Sequence, residues 1–150
     1  MTKVCIFGAG AIGGYIAACL SKTNVKLSLI ARGPHKEAIE KNGLTFIKDE
    51  KTENLKLTVT DDPKNLEIQD YIFISVKAHS ISNIVDSLSS IIDEQTSIIS
   101  TVNGLPWWYF HKANTGTNLD DTFLESVDPA GKIWKTIKPV SYTHLRAHET

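Results

Sequence analysis

Four apolar residues, Val4-Cys5-Ile6-Phe7, run directly into Gly8-Ala9-Gly10-Ala11-Ile12-Gly13-Gly14 and then into a segment with helical apolar spacing. A buried-type strand, a tight glycine turn and a helix in that order predict the first unit of a parallel α/β sheet. Gly8 permits the turn off the strand, Gly10 brings bare backbone up to a ligand, and Gly13 lets the helix pack closely on the strand. The free N–H groups and the positive end of the helix dipole face this loop, so the pattern reads as a cradle for the pyrophosphate of a dinucleotide. A ligand-free strand–turn–helix is the plainer alternative, because glycines also punctuate ordinary turns. The apolar face of the helix is assigned to Ile12, Tyr15, Ile16, Cys19 and Leu20, which fall at i, i+3, i+4, i+7 and i+8.

A chain of 150 residues with 41% hydrophobic content suits one globular domain with a real core. Its formal net charge of -1 argues against a nucleic-acid groove. No apolar run reaches the length of a membrane span and no signal-peptide pattern precedes the first strand, so a cytoplasmic location is expected. Cys5 and Cys19 have neither CxxC spacing nor a nearby histidine, and both are expected to be small core residues. The five histidines lack ligand spacing, no metal site is expected, and all five are assigned to surface or loop positions.

Beyond the first helix, residues 25–30 read as a second strand and residues 34–41 as a short helix, with Pro34 at its first turn and Asn42-Gly43 as its stop. Residues 44–47 and 55–60 are expected to form a hairpin around a charged turn at 48–54. Residues 71–76 form a nearly continuous apolar run of the kind buried on both faces of a parallel sheet. Ser80 is a candidate cap for a helix beginning near Ile81, with Ile84, Val85, Leu88 and Ile92 on its apolar side. Residues 97–102 supply a further core strand, and residues 131–137 a short helix. This alternation predicts a doubly wound, mainly parallel Rossmann-like sheet, with its ligand beyond the carboxyl ends of the strands.

The strand ends carry the candidate chemistry. Where NAD-preferring units place an acidic residue, about 20 positions after the glycines, this chain has Arg32. A guanidinium pairs with a 2′-phosphate that a carboxylate would repel, which favours NADPH/NADP, although a solvated strand-end arginine is the alternative. Lys77 and Asn103 follow the two later apolar runs and emerge at the same rim. By position alone, Lys77 could simply reach for water and Asn103-Gly104 could be an ordinary turn. The aromatic patch Pro106-Trp107-Trp108-Tyr109-Phe110-His111 follows directly, either as a wall at the nicotinamide end of the cleft or as core or interface.

Gly8 to Gly14, Ala31-Arg32-Gly33, Ser75-Val76-Lys77-Ala78 and Val102-Asn103-Gly104, in that order, resemble the N-terminal domain of ketopantoate reductase (2-dehydropantoate 2-reductase) over residues 3–139. The resemblance implies that Gly8, Ala9, Gly10, Ala11, Ile12 and Gly13 bind the pyrophosphate, that Arg32 meets the 2′-phosphate, and that Lys77 lines the cofactor site. It places Asn103 between the nicotinamide ribose and the substrate. It further implies reduction of ketopantoate to pantoate, on the route to pantothenate and coenzyme A, and a homodimer of the full-length protein. The family's catalytic lysine and glutamate belong to a helical second domain, so no catalytic residue is assigned in this chain.

Residues 1–139 are therefore expected to be the cofactor-binding domain, truncated before the helical C-terminal domain. Residues 140–150 break the family pattern, look like translated adapter or vector sequence, and are set aside as a non-native or disordered tail. Two other functions fit the residues: an oxidoreductase of another 2-oxo or hydroxy acid, and a sensor module that binds a dinucleotide without turnover.

Overall fold

The computed structural model describes residues 1–137 and the backbone of residues 142–144. The elements are β1 (Thr2–Phe7), α1 (Ala11–Leu20), β2 (Val25–Ile30), α2 (Gly33–Asn42), β3 (Leu44–Lys48), β4 (Lys51–Leu55), β5 (Thr58–Thr60), β6 (Tyr71–Ile74), α3 (Ile81–Leu88), β7 (Ser97–Ser100), α4 (Lys132–Thr136) and β8 (Tyr142–His144). Among the described residues six strands form one sheet in the order β5-β2-β1-β6-β7-β8, every neighbouring pair parallel. The chain builds outward from β1 to β2 and β5, then crosses back to β6 on the other side of β1. That reversal opens a crevice at the carboxyl ends of β1 and β6, where a doubly wound sheet binds its ligand.

The register brings these strands to one level. Phe7 lies opposite both Ile30 and Ile74, and Ile74 lies opposite Ser100. The next residues continue the ladder by one step: Gly8 N–H donates to the Ile30 carbonyl, Ser75 N–H to that of Phe7, and Thr101 N–H to that of Ile74. The loops after β1, β2, β6 and β7 therefore leave the sheet along one rim.

Strand alternation divides the core between the two faces. Val4, Ile6, Leu27, Leu29 and Ile39 pack with Ala17 on the α1/α2 side. Cys5, Phe7, Ile72, Ile74, Leu88 and Trp107 pack on the α3/α4 side. Burial pushes the Cys5 thiol up to about 12, which leaves it an inert core group.

The buried side of α1 differs from the expected one. Gly13, Ala17 and Ala18 are its buried residues, Ile16 and Leu20 are half-buried, and Ile12, Tyr15 and Cys19 are exposed. Helical spacing of large apolar residues marks the facing side only when side chains fill the gap between layers. Here the closest approach is taken by Gly13, Ala17 and Ala18, and of the expected face only Ile16 and Leu20 pack against the core. Cys19 is thus a surface thiol, and Tyr15 packs edge-on against Phe46, with ring centroids 5.8 Å apart.

The hairpin also differs from expectation. β3 and β4 pair antiparallel from Leu44 opposite Leu55 to Lys48 opposite Lys51. Only Asp49 and Glu50 form the turn, with φ of 50° and 62°, as a two-residue primed turn requires. The charged residues read as a turn are therefore an exposed strand, because charge reports solvent rather than conformation. β5 does not belong to the hairpin and joins the main sheet beside β2.

The later expected strands end earlier, at Ile74 and Ser100. Ser80 stands at the start of α3 without a capping side-chain hydrogen bond, and Ile92 lies beyond the helix end. At α4 a cap does form: the fully buried Asp128 carboxylate accepts N–H bonds from Ile133 and Trp134, each 2.8 Å.

Within the segment set aside as a tail, Tyr142–His144 pair with β7 as the sixth strand. The rest of that segment, 140–141 and 145–150, lies outside the described residues. No helix among the described residues is long and apolar enough to cross a membrane.

Candidate functional site

At the β1/β6 crevice a cleft of about 210 Å³ is lined by Gly8, Ala9, Gly10, Arg32, His35 and Ser80, with an apolar floor that includes Phe7 and Val76. Gly8 has φ of 112°, and a Cβ there would lie 2.9 Å from Val76 Cγ1 and 3.0 Å from the Ser75 carbonyl oxygen. Glycine is demanded both by the turn and by the adjacent strand end. A Cβ on Gly13 would collide with the Gly8 carbonyl oxygen, which sets the close approach of α1 to the loop. Gly10 differs, since a Cβ there would meet no protein atom within 4 Å. Its missing side chain leaves room on the cleft side rather than inside the protein.

The start of α1 is left free for a ligand. Its N-cap is Gly10, no side chain caps it, and no acidic residue occupies its first turn. Gly14 N–H makes the first helical bond, 2.7 Å to the Gly10 carbonyl, so the N–H groups before it face the loop without helical partners. This cradle fits a pyrophosphate, which needs N–H donors, positive potential and no Cβ in its path.

Arg32 is the N-cap residue of α2, two residues beyond the end of β2, and its side chain is exposed. Among the described residues it makes no ion pair. The neighbouring Lys36 is held elsewhere, 3.2 Å from Asp61 and 3.3 Å from Glu40. Among the described residues no carboxylate lines the cleft, so the Arg32 guanidinium sets its electrostatic sign.

Lys77 is exposed at the end of the segment after β6, where its carbonyl accepts the Ser80 N–H at 2.8 Å. Val76 and Ser80, on either side of it, line the cleft, and Lys77 itself does not. Asn103 is exposed beyond β7 and precedes Gly104 at φ of 102°. It shares the rim with the glycine loop but is not part of the cleft wall. Ala11 lines a second, adjoining cavity of about 370 Å³ between α1, α2 and β3, and Ile12 is exposed at the helix start.

Two hydroxyls clamp the rim beneath these loops. Thr101 Oγ1 donates to the Ile74 carbonyl at 3.0 Å, which leaves the Ser75 hydroxyl to donate to Thr101 Oγ1, also at 3.0 Å. The aromatic run has split roles. Trp107 is a core residue at 1% exposure with Trp108 edge-on against it, whereas Tyr109 is largely exposed.

Sequence reasoning missed His35 and Ser80 as cleft-lining residues. The available signal for His35 was its place three residues after Arg32, in the first turn of the same helix.

The sequence profile of the family described as Ketopantoate reductase PanE/ApbA matches residues 4–106. A 2-dehydropantoate 2-reductase of Mesorhizobium japonicum is 43% identical over 138 residues, covering 91% of this chain and 42% of the relative. Among solved structures, a candidate ketopantoate reductase from Ralstonia solanacearum MolK2 superposes with a TM-score of 0.87 at 31% identity, covering 96% of this chain and 44% of that one. A 2-dehydropantoate 2-reductase from Porphyromonas gingivalis W83 gives a TM-score of 0.71 at 25% identity, covering 95% and 45%. The chain therefore spans less than half the length of these relatives.

Proposed function

Because the chain belongs to the ketopantoate reductase family PanE/ApbA, we propose that it forms the NADPH-binding part of a 2-dehydropantoate 2-reductase. The observation that carries this reading is the cleft at the switch point, free of carboxylates among the described residues, with the uncapped start of α1 on one side and Arg32 on the other. In this proposal the backbone of Gly8, Ala9, Gly10, Ala11, Ile12 and Gly13 holds the pyrophosphate, and Arg32 pairs with the 2′-phosphate. Lys77 reaches the cofactor from the β6 loop, and Asn103 orients the nicotinamide ribose and the substrate from the β7 loop.

When bound, the reduced nicotinamide supplies the hydride that reduces a small 2-oxo acid. The residues of this chain bind and orient it, with the clamped strand ends keeping the loops in register. The proton donor, a lysine assisted by a glutamate, is placed outside this domain, as are most contacts that choose ketopantoate over another 2-oxo acid. A cytoplasmic location and a homodimer of the complete protein belong to the same reading. A sensor that binds without turnover is disfavoured because the named relatives are reductases.

The cofactor assignment is tested at Arg32. Arg32→Asp is expected to weaken NADPH binding by about tenfold or more while leaving NADH far less affected, since only NADPH carries the 2′-phosphate. Equal losses in a fluorescence titration of both nucleotides would remove the assignment.

The reaction is tested by assaying this 150-residue chain with NADPH and ketopantoate beside a full-length reductase of the family. Turnover is expected only in the latter, because hydride transfer needs a proton donor beside the ketone oxygen. Comparable turnover by the chain alone would move the donor into this domain, with Lys77 the first residue to replace.

A further inference from the structure

We propose that His35 is a second recognition group for the 2′-phosphate, acting beside Arg32; the inference rests on the reading of the cleft as an NADPH site. His35 lies in the first turn of α2, three residues after the N-cap Arg32, so the two side chains rise from the same end of one helix. It lines both the 210 Å³ cleft and the adjoining 370 Å³ cavity, and so stands at the junction between them. The adenosine ribose of a dinucleotide held on the glycine loop would reach the end of β2, which is where this junction lies.

The chemistry of the junction favours an anion. His35 makes no hydrogen bond or ion pair among the described residues and is exposed to the cleft. The polar side chains lining the two cavities with it are Arg32, Ser80, Tyr15 and Thr45, and no carboxylate is among them. No acidic residue occupies the first turn of α2 either. Pro34, in that same turn, has no N–H to offer, so a phosphate here depends on side chains more than one at the start of α1 does. A 2′-phosphate carries more negative charge than a single guanidinium neutralises. An imidazole supplies an N–H donor when neutral and a charge as well when protonated.

The experiment is a parallel titration of NADPH and NADH into the chain and its His35→Ala and His35→Lys variants, with melting curves to show that an exposed substitution leaves the fold intact. His35→Ala is expected to weaken NADPH about threefold to tenfold, the range for an exposed charge-assisted contact, and to leave NADH unchanged. His35→Lys is expected to hold NADPH affinity at or above that of the original chain. An unchanged NADPH to NADH ratio in His35→Ala, in a parent that prefers NADPH, overturns the role of His35 alone. Loss of NADPH affinity in His35→Lys as large as in His35→Ala does the same. A parent chain that does not prefer NADPH over NADH overturns the cofactor reading and this inference together.

Discussion

Gly13→Ala should destabilise the domain by about 3 kcal/mol or more, at the severe end of overpacking, because the atom the new Cβ meets is backbone. The obstacle is the Gly8 carbonyl oxygen, part of a turn that is itself held against Ser75 and Val76. Neither side can yield without lifting α1 from the sheet or breaking the turn. Ordinary helix propensity predicts the opposite sign, since alanine in place of glycine inside a helix is normally favourable by about 1 kcal/mol. Gly14→Ala is the internal control. Its Cβ would meet only Leu44 Cδ1, at 3.7 Å, an ordinary contact, so this variant should be neutral or slightly more stable. Thermal unfolding of the three proteins checks the pair. A Gly13→Ala melting temperature at or above the parent's would show that the close approach of helix and loop does not hold.

Gly10→Val should abolish dinucleotide binding and leave the fold untouched. Gly10 has φ of −68° and ψ of −171°, an extended conformation open to any residue. No protein atom lies within 4 Å of where its Cβ would be. The side chain would instead project into the space where a pyrophosphate must approach the α1 N–H groups, with an expected loss on the order of a hundredfold or greater. Circular dichroism and melting should match the parent while calorimetric titration with NADPH shows no binding. Retained affinity would mean that the loop is only a turn. Together the two variants separate roles that a motif treats as one: the protein's own packing at Gly13 and, on the proposed reading, the ligand's space at Gly10.

The loop and the alternation of elements were legible because their signals are local. An apolar run entering Gly8-Ala9-Gly10, the alternation of Val4 and Ile6 against Cys5 and Phe7, and Pro34 with Gly43 at the two ends of α2 each act within a few residues. The hairpin was legible only in part. Asp49-Glu50 lacks the glycine that usually marks a turn with positive φ at its second position, so the turn did not stand out from the charged strand beside it. The cap on α4 escaped notice because Asp128 reaches forward to Ile133 and Trp134 across a kinked approach at Ala130.

The residue pattern alone was enough for the glycine cradle and for most strands and helices of the main sheet, since steric limits on the backbone and apolar periodicity act on neighbouring residues, but it was not enough for β4, β5 and β8. It also placed Arg32 just beyond the end of β2, because the second residue after a strand still inherits its direction. Tertiary packing was needed to settle which side of α1 is buried, with Gly13 and Ala17 inward and Ile12 and Tyr15 outward, because that depends on how closely two layers approach. It alone brought His35 and Ser80, 45 positions apart in the numbering, into one cleft with the glycine loop. Such a meeting is created by the parallel pairing of β2, β1 and β6 at a common level, and pairing between distant segments leaves no mark on the residues that it brings together.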